Sequence, residues 1–152
     1  MSALKSTLAQ AQDRCEKRGA RFTAKRSQAL SVLIQADKAL SAYEVADAFN
    51  KAHNEKITAV SMYRILDFLV SENLVHRLDL ANKYIACEHI SCEHSHPHSQ
   101  FLICTQCQKV KEVQMSQTVT TEVYHNIHAA GFTPSNQQLE ISCICNDCQP
   151  PH

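Results

Sequence analysis

The segment TAVSMYRILDFLVS, residues 58–71, predicts a helix that is apolar over most of its surface. Thr58 is a favourable N-cap residue for this helix. The polar residues recur every three or four positions and therefore form one stripe, made of Ser61, Arg64, Asp67 and Ser71. Two short strand-like runs follow, at 74–78 and 83–87. A helix followed by such a hairpin is typical of the recognition helix and wing of a winged helix-turn-helix.

The residues before this segment predict three further helices. The first covers residues 2–18, and the second begins after Thr23 and continues to Ala36. The third begins at Ser41-Ala-Tyr-Glu44, which has the spacing of a capping box. In a capping box the serine and glutamate side chains each bind the other residue's backbone N–H, so this motif marks a helix start.

The residues after the hairpin predict a different architecture. It consists of two strands, a helix and a further strand, at 101–104, 109–113, 116–130 and 139–144. The helix carries one apolar face that we expect to point inward, made of Val119, Val123, Ile127 and Ala130. We therefore expect an α+β protein, with an N-terminal winged helix-turn-helix domain over 1–82 and a small α+β, metal-binding domain over 83–152.

The charge distribution separates the two halves. Residues 1–83 hold 13 basic and 9 acidic residues, a net charge of +4, whereas residues 84–152 hold 2 basic and 6 acidic residues, a net charge of −4. The second half also contains seven of the eight cysteines and seven of the nine histidines. A basic half joined to a half rich in thiols and imidazoles indicates a polyanion binder coupled to a metal binder.

Other features exclude several classes of protein. With two glycines, the chain has no Gly-rich phosphate loop or Rossmann fingerprint, and neither G-x-S-x-G nor H-E-x-x-H occurs, so we expect no enzyme activity. The N-terminus is polar and lacks the apolar core of a signal peptide. No apolar run approaches the ~18 residues of a membrane span, and we expect a cytoplasmic protein with no membrane partner.

Four cysteines form two C-x-x-C pairs, Cys104 with Cys107 and Cys145 with Cys148. Zinc binds four thiolates tetrahedrally, and one C-x-x-C turn presents two sulfurs to the same ion. We therefore expect a closed structural zinc site, which has no open position for a catalytic water. A thioredoxin-type redox pair at Cys104 and Cys107 is the alternative, but the sequence around it lacks a βαβ pattern.

A second group of possible metal ligands comprises His76, Cys87, the histidine-rich run 89–98 and Glu112. Alternating histidines in an extended segment point to one side, so several nitrogens can converge on one ion. Mixed cysteine, histidine and carboxylate ligation suits zinc, whereas Fe²⁺ and Mn²⁺ prefer sites without a thiolate. The alternative is a solvated histidine-rich loop that binds metals loosely.

The predicted recognition helix offers two groups that suit DNA. Arg64 can reach a guanine or a phosphate, and Tyr63 can contact a phosphate or a thymine methyl group. The alternative is that Tyr63 belongs to the core and Arg64 is a solvated charge.

These residues resemble those of a known family. Ile57-Thr-Ala-Val-Ser-Met-Tyr-Arg-Ile-Leu-Asp-Phe-Leu69 resembles the "TVYRAL" recognition-helix signature of the ferric uptake regulator (Fur) family, with Ser61-Met62 in place of the usual Thr-Val. Leu40-Ser-Ala-Tyr-Glu44 and Gln100-Phe-Leu-Ile-Cys-Thr-Gln-Cys107 resemble its preceding helix start and its metal knuckle. Residues around Asp67, His76 and Cys87 are most similar to the zinc uptake regulator (Zur) branch.

The resemblance implies a homodimeric repressor that binds palindromic double-stranded DNA operators when zinc is plentiful, with 83–152 as the dimerisation domain. It also implies one structural and at least one regulatory Zn²⁺ per chain. The structural ligands would be Cys104, Cys107, Cys145 and Cys148. The sensing ligands would be His76, Cys87, one histidine of the 94–98 run (with His96 and His98 competing) and Glu112. The DNA-facing residues would be Tyr43, Ser61, Tyr63 and Arg64.

We therefore expect a zinc-responsive repressor of zinc uptake and homeostasis genes. Within the same family, an iron- or peroxide-responsive regulator is the alternative, although the thiolate of Cys87 argues against it. A zinc-buffering protein that uses its histidine run as a store and a thiol oxidoreductase are alternatives from other classes.

Overall fold

The computed structural model describes residues 2–88, 90, 99–135 and 138–150. The chain forms two compact units, Met1–Glu93 and His94–His152. Among the described residues, no helix is long and apolar enough to cross a membrane.

The first unit contains four helices and a hairpin, as the sequence predicts. The helices are α1 Ser2–Lys17, α2 Ala24–Ala36, α3 Ala42–His53 and α4 Ala59–Ser71. The strands are β1 Val75–Leu78 and β2 Lys83–Ala86. The predicted caps are confirmed, because Thr23 accepts from the Arg26 N–H at 3.3 Å and Thr58 from the Ser61 N–H at 3.2 Å.

The capping box of α3 is also formed in full. The Glu44 N–H donates to Ser41 Oγ at 3.1 Å, and the Ser41 N–H donates to Glu44 Oε1 at 2.9 Å. These two bonds satisfy N–H groups that have no partner within the helix. The box therefore fixes the residue at which α3 begins.

The core of the first unit forms between the helices and the hairpin. On α4, Met62, Leu66 and Leu69 are fully buried and pack with Phe49 of α3 and Tyr84 of β2. The predicted polar stripe is exposed along its whole length, at Ser61, Arg64, Asp67 and Ser71. The 3.6-residue period of α4 thus separates a face that holds the helix in the core from a face that is open to a partner.

The hairpin is attached to the helices through its second strand. Strands β1 and β2 are antiparallel, with Val75 opposite Ala86 and Leu78 opposite Lys83. The Leu40 N–H donates to the Tyr84 carbonyl at 2.9 Å, and the Tyr84 N–H donates to the Leu40 carbonyl at 2.7 Å. This bridge joins β2 to the segment just before α3.

Strand β2 lies in the first unit because it pairs with β1 and bridges to Leu40. The domain boundary expected between residues 82 and 83 precedes β2. The division into a DNA-binding domain over 1–82 and a metal-binding dimerisation domain over 83–152 stays a prediction.

The second unit is a three-stranded sheet with one helix. Its elements are β3 Ser99–Cys104, β4 Val110–Gln114, α5 Gln117–Ala129 and β5 Leu139–Cys143. The strand order is β4-β3-β5, with β3 and β4 antiparallel and β3 and β5 parallel. Few of its described apolar side chains are buried. They are those of Phe101, Ile103 and Cys104.

The apolar face of α5 does not point into a core within this chain. Thr120 is the only buried residue of the helix. Val119 is 48% exposed, and Val123 and Ile127 are partly buried. The inward orientation expected from the sequence is therefore wrong for the single chain, because the second unit has too little structure to cover a whole helix face.

We predict that Ser41→Ala lowers the free energy of unfolding by about 1 kcal/mol, because the N-cap acceptor of α3 is lost. Ser6→Ala, in an exposed part of α1, is the control and should not destabilise the protein, since alanine favours a helix. Denaturant unfolding of the three proteins measures the difference. Equal midpoints for wild type and Ser41→Ala would contradict the role given to the capping box.

Candidate metal centre and nucleic-acid interface

The carboxyl ends of two parallel strands bring the four cysteines together at one edge of the sheet. Cys104 ends β3 and pairs in the parallel ladder with Cys143, the last residue of β5. Because the carboxyl ends of these parallel strands meet at one edge, the turn after β3 presents Cys107 beside Cys145 and Cys148. The Cys107 and Cys145 sulfurs are 3.7 Å apart, and the four sulfurs all lie within 4.8 Å of one another.

This arrangement fits a zinc ion. Four sulfurs at about 2.3 Å from a tetrahedral Zn²⁺ are roughly 3.8 Å from one another. The distances between the sulfurs therefore match zinc without a large rearrangement. The predicted convergence of the two C-x-x-C pairs is found in the structure, and the set offers thiolates alone, the donor type of a closed structural site.

Each C-x-x-C pair lies in a tight turn stabilised by backbone hydrogen bonds. In the first, the Gln108 N–H donates to the Cys104 carbonyl at 3.0 Å, with Gln108 in the left-handed conformation. In the second, the Cys148 N–H donates to the Cys145 carbonyl at 3.0 Å. An exposed ion pair between Lys109 and Asp147, at 3.3 Å, links the two turns.

The sulfurs differ in their affinity for protons. The N–H groups of Cys107, Cys145 and Gln106 lower the pKa of Cys104 to about 6, because they donate to its thiolate. Hydrogen bonds with the sulfurs of Cys145 and then Cys107 raise the pKa of Cys148 to about 12. The cluster therefore shares protons among its sulfurs, and a bound cation would displace them, since metal binding to thiols releases protons.

Two of the expected sensing ligands belong to the first unit. His76 lies on β1 opposite Ile85, and Cys87 directly follows β2. The Cys87 N–H donates to the Leu74 carbonyl at 2.9 Å, so Cys87 continues the ladder opposite Leu74. Residues 74 and 76 point to the same face of a strand, which makes His76 and Cys87 diagonal neighbours on one face of the hairpin.

The other expected sensing ligands lie further along the chain. Glu112 lies on β4 of the second unit, is 7% exposed, and accepts from the Ser99 hydroxyl at 2.8 Å. Burial of a carboxylate is unfavourable unless it is paired or bound to a cation, so its position suits a ligand. His96 and His98 lie outside the described residues. The complete sensing set stays a prediction.

The four expected DNA-facing residues all lie in the first unit, on α3 and α4. Ser61 and Arg64 are exposed on α4, and Tyr43 is 68% exposed in the first turn of α3. Tyr63 is partly buried against the core, and its ring packs edge-on against Tyr43 with centroids 6.4 Å apart. The alternative that Tyr63 belongs to the core thus holds in part, and its contact with DNA stays a prediction.

Sequence reasoning missed one residue of this surface. Val60 is 66% exposed at the start of α4, although it is one of the apolar residues of that helix. The signal was present, because Val60 and Arg64 are four residues apart and therefore share a helix face. A valine there offers a methyl surface of the kind that contacts thymine.

The similarity of this chain to known proteins covers nearly its whole length. The sequence profile of the Ferric uptake regulator family matches residues 17–142. The zinc uptake regulation protein of Escherichia coli (strain K12) is 32% identical over 142 residues, which cover 93% of this chain and 80% of the relative.

Two solved structures support the same relationship. A zinc uptake regulator complexed with zinc and DNA has a TM-score of 0.83 and 28% sequence identity, covering 95% of this chain and 94% of that chain. The structure of holo XcZur has a TM-score of 0.75 and 31% identity, covering 94% and 96%.

We predict that Cys107→Ser reduces the zinc content by about one ion per chain and unfolds the second unit, because metal binding and folding are coupled. Cys143→Ser is the matched control, since Cys143 pairs with Cys104 but its sulfur faces the Ile141 carbonyl at 3.5 Å. Elemental analysis and amide NMR spectra measure the two effects. Full zinc content in Cys107→Ser would exclude the four-sulfur site.

Proposed function

Because this chain belongs to the ferric uptake regulator family, we propose that it is a zinc-responsive, DNA-binding transcriptional repressor of zinc uptake and homeostasis genes. One observation carries the proposal, namely the similarity of nearly the whole chain to a regulator whose structure contains both zinc and DNA. The relatives are regulators of transcription rather than enzymes, and we place this protein in the cytoplasm, where DNA is accessible.

The four-cysteine site has a structural role in this proposal. Its ligands come from β3, the turn after β3 and the segment after β5, so a bound zinc ion cross-links chain segments that the small core holds only weakly. Four thiolates leave no position for an exchanging ligand. This site stabilises the second unit and does not sense zinc.

The sensing site comprises His76, Cys87, Glu112 and either His96 or His98. The donor set supports this assignment, because imidazole, thiolate and carboxylate are all good zinc ligands. The thiolate of Cys87 favours zinc over Fe²⁺ or Mn²⁺ and argues against the iron-responsive alternative. His76 and Cys87 share a face of the hairpin, and Glu112 is held by Ser99.

Operator recognition is assigned to the exposed surface of α3 and α4. Arg64 is exposed on the polar stripe of α4, and in this proposal it contacts a guanine edge or a phosphate. Ser61, Tyr43 and Tyr63 lie around it on the same two helices. A recognition helix in the major groove contacts bases with its N-terminal half, and Ser61 and Arg64 both lie in the N-terminal half of α4.

A second copy of the chain is the partner that the second unit needs. Several of its large apolar side chains are exposed in the single chain, at Val113, Val119, Phe132, Ile141 and Ile144. An apolar surface of this kind is typical of a dimer interface. A homodimer with two-fold symmetry matches a palindromic operator whose half-sites are about one helical turn, roughly 34 Å, apart.

Regulation follows from linkage between the two ligands. If zinc at the sensing site raises operator affinity, then the operator raises zinc affinity by the same factor. A coupling free energy of about 1–3 kcal/mol per effector is typical. A dimer has two sensing sites, so their combined effect is large enough to switch repression.

We predict that Cys87→Ala raises the free zinc concentration needed for half-maximal operator binding by at least about tenfold, since a metal ligand is lost. The measurement is fluorescence anisotropy of operator DNA at buffered zinc concentrations, repeated with Fe²⁺. Cys143→Ala is the control and should respond like wild type. An unchanged zinc requirement in Cys87→Ala would remove Cys87 from the sensing site, and binding that depended on iron would favour the alternative regulator.

We predict that Arg64→Ala weakens binding to the specific operator by about 1–3 kcal/mol and leaves the zinc content unchanged, because a base contact is worth that much. Lys5→Ala, which removes an exposed charge from α1, should have little effect. Titrations with specific and scrambled DNA separate the two contributions. Loss of zinc, or equal weakening on both DNAs, would show that Arg64 does not read bases. A protein that binds zinc but no specific DNA would instead be a zinc buffer.

A further inference from the structure

The wing is joined to α3 by a side-chain contact as well as by its backbone bridge. Lys83 Nζ, at the first residue of β2, lies 3.5 Å from Glu44 Oε1 in the first turn of α3. The neighbouring residue Tyr84 forms the two backbone hydrogen bonds to Leu40. Two consecutive residues of the wing therefore hold the start of α3.

Glu44 takes part in two interactions through the same atom. Its Oε1 accepts from the Ser41 N–H in the capping box and also faces the Lys83 ammonium group. The Ser41 N–H, more than the nearby Lys83, lowers the pKa of Glu44, so Glu44 is a carboxylate at neutral pH. The side chain of Lys83 is only 25% exposed, which is unusual for a lysine.

The same turn of α3 carries Tyr43, which is exposed and which we expect to face DNA. Tyr43 directly precedes Glu44, and its ring packs against Tyr63 of α4. A continuous series of contacts thus runs from the wing through Lys83 and Glu44 to the helix that bears Arg64. A shift of the wing at Lys83 would therefore change the alignment of the start of α3 with α4.

We propose that Glu44 and Lys83 are positioning residues for operator binding, and that Lys83 acts through Glu44 rather than by contacting a DNA phosphate. This inference rests on the proposed function. A lysine whose ammonium group is next to a carboxylate has much of its charge neutralised, and it attracts phosphate less than a free cation does. A partly exposed ion pair also contributes little to stability, so its loss leaves the fold intact while it loosens the wing.

Two substitutions test the effect of each charge without disturbing the fold. Glu44→Gln removes the charge and keeps the capping box, since glutamine serves the same role in these boxes. Lys83→Met removes the ammonium group and keeps most of the aliphatic chain. Lys83→Arg keeps the cation and should retain wild-type behaviour. Asp13→Asn and Lys17→Met are the matched controls, because they break an exposed ion pair of 2.9 Å on α1.

Operator affinity at saturating zinc is measured for each variant over a range of salt concentrations. We expect Glu44→Gln and Lys83→Met each to weaken operator binding roughly three- to tenfold. The double variant should bind the operator no more weakly than either single variant, because the effects of substitutions at two residues in contact are not additive. The dependence of log affinity on log salt should keep its slope, and zinc content and melting temperature should not change.

A phosphate contact by Lys83 gives a different pattern. Lys83→Met would then reduce the salt slope by about 0.9 per lysine, and Glu44→Gln would leave affinity unchanged or increase it. That result, additive effects in the double variant, or wild-type operator affinity in both Glu44→Gln and Lys83→Met would overturn the positioning role. If wild type itself shows no zinc-dependent operator binding, the proposed function fails and this inference fails with it.

Discussion

Four cysteine sulfurs within 4.8 Å of one another cannot all ionise unless a cation lies among them, because like charges at that distance repel strongly. Without a cation, protons must remain on some of the sulfurs, and the high pKa of Cys148 reflects this. Among its described residues, the second unit has few buried apolar side chains to hold it together. In our proposal, its fold therefore depends on charge neutralisation by zinc at the four sulfurs more than on a hydrophobic core.

The two units are stabilised in different ways. The first buries Phe49, Met62, Leu66 and Leu69 in a continuous core that its own helices and hairpin form. The second leaves Val119 and Phe132 exposed and, in our proposal, is completed by zinc and by a second copy. A DNA-binding unit with its own core is expected to keep its shape when it binds or releases DNA.

Most elements of both units were predictable because their signals are local. The caps at Thr23, Ser41 and Thr58 mark helix starts. The spacing of the two C-x-x-C pairs predicts that their four sulfurs lie together around one ion. The bridge between Leu40 and Tyr84 left no signal, because a single non-local pair has no periodicity. The apolar period of α5 was also real, but a period shows only that a face is apolar and not which molecule covers it.

The wing combines two roles that are physically linked. It carries His76 and Cys87 on one face, and its second strand is fixed to α3 through Leu40 and Glu44. A hairpin held at two places cannot move far against α4 when its side chains bind a metal. In our proposal, zinc bound at His76 and Cys87 therefore leaves the exposed surface of α3 and α4 nearly unchanged. We therefore propose that zinc acts on DNA binding through the other expected ligands, one of which is Glu112, held by the Ser99 hydroxyl.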